Sequence, residues 1–308
     1  MEKNSKIYVA GGQTLIGAAI LRELKREEYP NIVGESGGEP NLTDALQVDS
    51  FFKKEHPEYV FLAAGKSGGI EANQKYPAEF MIDNLLIECN VIKSSHKYGV
   101  KKLLYLASSC SYPKHCPQPM QVKSLLTGPL EPTNEAYAVA KIAGIKLCQS
   151  FHQQYGANFI SGIPANTFGP GDDFSLDNSH VIAALMRKMH EAKIQGVKSV
   201  EIWGTGTPRR EFIFVDDLAN ACIFVLRHYD SAVPINLGSG TVFSIRDLAE
   251  AIRDVVGFNG SIVYDTSKPD GMPIKSLDNR KIRDLGWCPH FCLREGLAIT
   301  YEWYRKEY

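Results

Sequence analysis

The sequence has no excess charge of either sign. Its 34 Lys and Arg are balanced by 35 Asp and Glu, for a formal net charge of -1. That balance excludes the broad basic field with which proteins hold nucleic acid or an anionic membrane, so an anionic ligand needs a local site. Long apolar runs are also missing. The longest, such as residues 59–64 and 221–226, are far too short to cross a bilayer. Residues 1–6 run straight into an apolar strand-like segment and leave no room for a signal peptide, so a cytoplasmic protein is expected. The seven cysteines are scattered, with no Cys-x-x-Cys pair and no Cys/His cluster at metal-ligand spacing. No metal is expected, and the thiols are expected to be mostly buried. Internal repeats, low-complexity tracts and Pro/Ser-rich linkers are absent too.

What is present is alternation. An apolar run at residues 6–10 ends in Gly11-Gly12, and a helical pattern follows over 15–27. Further strands are predicted at 31–34, 59–63, 102–107 and 159–163, and further helices at 46–55, 80–96 and 137–155. Residues 59–63 are apolar without a break, as in a strand buried on both faces. Together these segments predict an α/β fold, a doubly wound parallel sheet of the Rossmann type, with ligands at the C-terminal ends of its strands. After about residue 166 the pattern loosens. A loop is read over 169–180, then a helix over 180–192, a strand over 200–203 and a turn over 205–208. The apolar stretches 212–215 and 234–237 are candidates to rejoin the main sheet. Ser244 to Asp247 resembles a capping box that opens a helix to residue 256, and 261–264 is a last strand. A smaller, interleaved C-terminal α/β domain is expected.

Three motifs carry chemistry. The turn Gly11 to Gly17 supplies small residues where a dinucleotide fold brings backbone close to a pyrophosphate, although an ordinary strand-to-helix turn reads the same way. Tyr137 and Lys141 stand at i and i+4 and share a helix face. A nearby ammonium is expected to lower the Tyr137 pKa toward the range of an acid–base catalyst; a plain surface pair is the alternative. Ser108 follows a buried strand and can donate a hydrogen bond at the ligand edge, or simply start a polar loop.

In order and spacing these motifs resemble the extended branch of the short-chain dehydrogenase/reductase superfamily. Longer strings narrow the likeness: Ser108-Ser109-Cys110-Ser111-Tyr112-Pro113-Lys114, Leu130 to Glu135, Tyr137 to Lys146, Asn178 to Ile182, Trp203 to Phe212 and Ser267 to Gly271. Together they resemble the GDP-L-fucose synthase family, 3,5-epimerases and 4-reductases of a GDP-4-keto-6-deoxy sugar. The resemblance implies Tyr137 as acid/base, Lys141 as its tuner and ribose ligand, and Ser108 as the group orienting the carbonyl. It implies Cys110 and His180 as base and acid of the epimerisation. For the dinucleotide it implies Gly11, Gln13, Thr14, Leu15, Ile16 and Gly17 in the first turn. Glu35 and Leu42 follow the second strand, Ala63 and Ala64 the third, and Pro164 and Asn166 the fifth, joined by Lys141 and His180. For the sugar nucleotide it implies Lys188, Trp203, Arg210 and Lys275, and it implies a homodimer built on the helices at 80–96 and 137–155. Residues 1–166 with about 211–240 are then the dinucleotide-binding domain, and 167–210 with 241–308 the sugar-nucleotide domain.

The chain departs from the family pattern in three ways. Gln13 and the stretch Gly34-Glu35-Ser36-Gly37-Gly38 stand where basic residues usually grip the 2′-phosphate of NADP(H), so NAD(H) is a second candidate cofactor. Thr14 replaces the middle glycine, which is expected to narrow the approach to the pyrophosphate. Lys188 and Ile274 replace arginines, so a related donor is open, a 6-deoxyheptose or a dideoxy sugar. The remaining alternatives are a 4-reductase without epimerase activity and a non-catalytic dinucleotide-binding protein.

Overall fold

The computed structural model describes every residue except 36–37, 176–178, 269 and 271. Ser36, Gly37, Asn178, Pro269 and Gly271, which belong to stretches singled out above, therefore lie outside the described residues.

Six parallel strands form the main sheet: β1 (Ile7–Ala10), β2 (Ile32–Val33), β3 (Tyr59–Leu62), β4 (Lys102–Leu106), β5 (Phe159–Pro164) and β9 (Ile235–Leu237). Their order is β2-β1-β3-β4-β5-β9. The chain winds outward in both directions from β1, so the C-terminal ends of β1, β3, β4 and β5 meet along one edge near the switch point. Unbroken apolar runs make these strands: Leu103, Leu104 and Tyr105 are fully buried on both faces of β4.

Helices α1 (Leu15–Arg26), α2 (Ala45–Glu55), α3 (Ile70–Lys75), α4 (Pro77–Lys97), α5 (Glu135–Tyr155) and α7 (Val215–His228) flank the sheet. The 21-residue helices α4 and α5 pack side by side, and α1 packs on α7. No described helix is long and apolar enough to cross a membrane.

A second hydrophobic core lies under α6 (Val181–Ile194), α8 (Ile245–Val256) and α10 (Leu293–Glu307). It is closed by short strands β6 (Asn166–Phe168), β7 (Ser199–Trp203), β8 (Arg209–Phe214), β10 (Val242–Ser244), β11 (Ser261–Asp265) and β12 (Ile274–Lys275); α9 (Arg280–Asp284) precedes α10. The capping box at Ser244 and Asp247 is formed and starts α8. Of the two stretches expected to rejoin the main sheet, only β9 does. β8 pairs instead with β6, β10 and β12. Its side chains alternate, Phe212 and Phe214 entering the second core and Ile213 the first, so one strand serves both. Leu277, Ile282 and Trp287 also pack on the first core.

The thiols depart from expectation: only Cys148 and Cys222 are buried, whereas Cys89, Cys288 and Cys292 are exposed. All seven remain unpaired.

Candidate active site

The glycine turn connects β1 to α1. Gly11 has φ +87°, and a Cβ there would lie 2.6 Å from the Ala64 backbone. A Cβ on Gly17 would lie 1.9 Å from the Gly11 carbonyl oxygen. Both positions need glycine for close backbone approach. Thr14 does not: its φ of -75° and ψ of 161° suit any residue. Its hydroxyl donates to the Gly11 carbonyl at 2.8 Å and accepts from the Gly17 amide at 3.1 Å, which makes it the N-cap of α1. The expected narrowing is thus replaced by a cap. The amides of Leu15 and Ile16, at the first two helical positions, have no acceptor within the helix and face the dipole's positive end. These features fit a pyrophosphate. Gly17→Ala should force the turn apart, destabilise the fold by roughly 1–3 kcal/mol and weaken dinucleotide binding. Thermal melting and a dinucleotide titration check this; binding as tight as wild type would remove the turn from the site.

After β2 two carboxylates take different partners. Glu35 pairs with Lys25 at 2.8 Å. Glu39, which sequence reasoning missed, accepts from the Gly11 amide at 2.5 Å and the Tyr8 hydroxyl at 3.1 Å. Burial raises the Glu39 pKa against those two hydrogen bonds. The buried Leu42 gives its carbonyl to Asn90 at 2.9 Å. Ala63 follows β3 and bonds back to Ala10, with buried Ala64 beside it; Pro164 ends β5 and Asn166 opens β6.

Ser108 ends β4's segment and caps a short 3₁₀ turn, accepting from the Cys110 amide at 3.2 Å. The Cys110 sulfur accepts from Asn134 Nδ2 at 3.2 Å and from Lys275 Nζ at 3.4 Å. Burial pushes this thiol up. The Lys275 charge and the Ser108, Lys275 and Asn134 hydrogen bonds outweigh it, and the net shift is downward.

Tyr137 lies in the first turn of α5, its ring edge-on to Phe80 with centroids 6.4 Å apart. Its pKa is raised, not lowered as the Tyr-x-x-x-Lys spacing predicts. Burial is the main cause and Cys110 adds to it; Ser108 pulls back, and Glu88 raises it further. The reason Lys141 gives no help is its partner. Lys141 Nζ lies 3.2 Å from Glu88 Oε1 and 3.4 Å from the Leu106 carbonyl, and both side chains are almost fully buried. Tyr105 donates to the same Glu88 oxygen at 2.6 Å. Burial raises Glu88 and lowers Lys141, and each charge resists the other's shift. The Lys141 ammonium is thus taken up by Glu88, whose charge adds to the rise at Tyr137.

The remaining residues divide. Arg210 on β8 stands in register with Lys275 on β12. Its Nη1 donates to the Arg209 and Met272 carbonyls at 2.8 and 2.6 Å, and among the described residues Nε and Nη2 take no hydrogen bond. Trp203 is 67% exposed at the end of β7, with Lys268 Nζ 5.3 Å from its ring centroid. Lys188 on α6 donates to the Glu201 carbonyl at 2.7 Å. His180 is the N-cap of α6 and is not hydrogen-bonded to the Ser108–Cys110–Tyr137 group. It retains exposed surface, yet nearby protein atoms crowd it; this desolvation lowers its pKa, opposed by Asp173.

Known proteins match this arrangement. The model of the NAD dependent epimerase/dehydratase family matches residues 7–238. GDP-L-fucose synthase 1 of Arabidopsis thaliana is 52% identical over 305 residues, covering 99% of this chain and 94% of that protein. The structure is similar to a GDP-6-OMe-4-keto-L-xylo-heptose reductase from C. jejuni, with TM-score 0.94 and 36% identity over 100% of this chain and 99% of that one. It is also similar to a GDP-mannoheptose C4 reductase from Campylobacter jejuni with NADP bound, with TM-score 0.90 and 38% identity over 99% of each chain. With a six-stranded parallel sheet and full-length identity of this order, the chain belongs to the NAD dependent epimerase/dehydratase family, in its GDP-L-fucose synthase branch.

Proposed function

We propose that this chain inverts C3 and C5 of a GDP-4-keto-6-deoxy sugar and reduces its C4 carbonyl with NADPH. The observation that carries the reading is the convergence of Ser108, Cys110 and Tyr137 at the C-terminal edge of β4, with Lys275 on the sulfur. A 4-keto group acidifies the protons on C3 and C5, because the carbanion left behind is an enolate. Cys110 as thiolate takes such a proton: the C–H bond breaks, an S–H bond forms, and the electron pair moves to the 4-keto oxygen. His180 as imidazolium returns a proton to the opposite face and becomes neutral. Solvent then restores both groups, so the carbon acquires solvent hydrogen.

For the reduction, the dinucleotide supplies the hydride to C4. Ser108 donates a hydrogen bond to the carbonyl oxygen and stabilises charge as it grows there. Tyr137, whose raised pKa keeps its proton in place at neutral pH, gives it to the alkoxide oxygen. The larger core holds the dinucleotide. The smaller one holds GDP through Lys188, Trp203 and Arg210, the guanidinium giving paired contacts to phosphate.

NADP(H) is favoured over NAD(H) by two points. The heptose C4 reductase relative carries NADP. And Glu35, the carboxylate that would repel a 2′-phosphate, is neutralised by Lys25. A homodimer through α4 and α5 is supported by exposed Ile82 and Leu86 on α4 and Val139 on α5. A cytoplasmic location fits a sugar-nucleotide enzyme.

A second reading, reduction of a related GDP-4-keto heptose, rests on Lys188 and Ile274 in place of arginines and on the two heptose reductases. One experiment separates the readings. The protein is incubated in D2O with GDP-4-keto-6-deoxymannose or, in a parallel reaction, a GDP-4-keto heptose, each with NADPH or NADH, and the product is identified. GDP-L-fucose with deuterium at C3 and C5, formed with NADPH, is expected. A reduced product without deuterium ends the epimerase assignment, and turnover only of a heptose substrate selects the second reading.

A further inference from the structure

Resemblance places Lys275 among the ligands of the sugar nucleotide, but its ammonium reaches a different group. From β12, 165 residues along the chain from Cys110, it lies 3.4 Å from the sulfur. Asn134, just before α5, points its amide nitrogen at the same sulfur from 3.2 Å. The side-chain carbonyl oxygen of Asn134 is buried without a partner among the described residues, so its amide is turned toward the sulfur at a cost. Two donors from separate segments thus converge on one atom. A thiol offers them only a weak acceptor, whereas a thiolate offers a full negative charge.

We propose that Lys275, assisted by Asn134, holds the Cys110 sulfur as a thiolate before substrate arrives, and so acts as the positioning residue of the proton-abstracting base. The proposal deepens the epimerase reading and rests on it for its purpose, but not for its physics.

The charges around the sulfur agree. Lys275 and the Ser108 and Asn134 hydrogen bonds favour the anion over the effect of burial. Tyr137, facing it from α5, is itself pushed up by burial and then by the sulfur's charge, and stays neutral. Glu88 is matched by Lys141. Cys116 also feels Lys275, yet burial raises that thiol, so the ammonium selects Cys110. No hydrogen bond other than that to Cys110 ties Lys275 Nζ among the described residues. A side effect of the geometry is that the base, in the turn after β4 of the larger sheet, is armed from the smaller one.

The test uses substrate-free protein. Iodoacetamide alkylation of Cys110 is followed against pH by peptide mass spectrometry, with Cys110→Ser as the blank. Wild type should titrate below the ordinary thiol value of 9.0. K275Q should titrate higher by about one pH unit, with alkylation near neutral pH slowed about tenfold, because the thiolate is the nucleophile. K275R should restore much of the wild-type profile, which a merely structural role would not do. If K275Q does not fold, K275M, which keeps the stem and removes the ammonium, is read instead. A profile unmoved by removal of the ammonium overturns the proposal. The epimerase reading fails separately: a shifted profile in a protein that takes up no deuterium at C3 or C5 keeps the thiolate pair and ends that reading.

Discussion

Tyr137→Phe should slow reduction of the 4-keto sugar by about 10²- to 10⁴-fold, the usual contribution of a positioned general acid. The substitution removes one oxygen and keeps the ring, so the edge-on contact with Phe80 survives and the fold should be intact. On the proposed roles, deuterium uptake at C3 and C5 uses Cys110 and His180 and should persist, so the variant would separate the two half-reactions. The wild-type pH profile follows from the same burial. A phenol displaced above its ordinary 10.0 keeps its proton through the neutral range and loses it only as pH rises past that displaced value. Reduction at saturating substrate should therefore show no alkaline decline from this group below about pH 10. Stopped-flow loss of NADPH absorbance measures both. A Phe variant within tenfold of wild type would pass the donor role to Ser108 or to water.

Cys110→Ala should abolish exchange at C3 and C5 by a comparable factor, about 10²- to 10⁴-fold, while 4-reduction of an already epimerised ketone continues. If Cys110 is the base and His180 the acid, as proposed, exchange in wild type needs a thiolate and an imidazolium together. Below the His180 pKa every imidazole is protonated, and the thiolate fraction climbs with pH. Between the two pKa values the gain in thiolate cancels the loss of imidazolium. Above the Cys110 pKa the thiolate is complete, and imidazolium continues to fall. Both groups are shifted to the acid side, His180 from 6.5 by desolvation and Cys110 from 9.0 by Lys275. kcat/KM for deuterium exchange should then break below pH 6.5 on the acid limb and below pH 9.0 on the alkaline limb. Exchange that still climbs above pH 9.0 would rule Cys110 out as the base.

What the sequence shows and what it hides follow a physical division. Strands buried on both faces announce themselves as unbroken apolar runs, so β3, β4 and β5 were legible, as was α5 with Tyr137 and Lys141 one turn apart. Strands of two or three residues, such as β6, β10 and β12, are too short to carry a period and appear only through their pairing. The same holds for charge. Spacing on α5 brings an ammonium beside a phenol but does not reveal Glu88, 53 residues earlier on α4, which cancels it. A signal existed: Asn84 and Glu88, four residues apart, are polar groups on the buried face of a helix, where isolated polar side chains are costly without partners. Asn134 lies inside a string that was noticed, but only folding shows it against sulfur. Thr14 looked like a lost glycine because composition cannot distinguish a required positive φ from a helix cap.

The alternation along β8 has a consequence for how the chain tolerates substitution. Phe212 and Phe214 answer to the smaller core and Ile213 to the larger, so the strand works as a seam between the two. A cavity opened at either phenylalanine is felt in the smaller core and one opened at Ile213 in the larger, so neighbouring positions on one strand load different halves of the molecule.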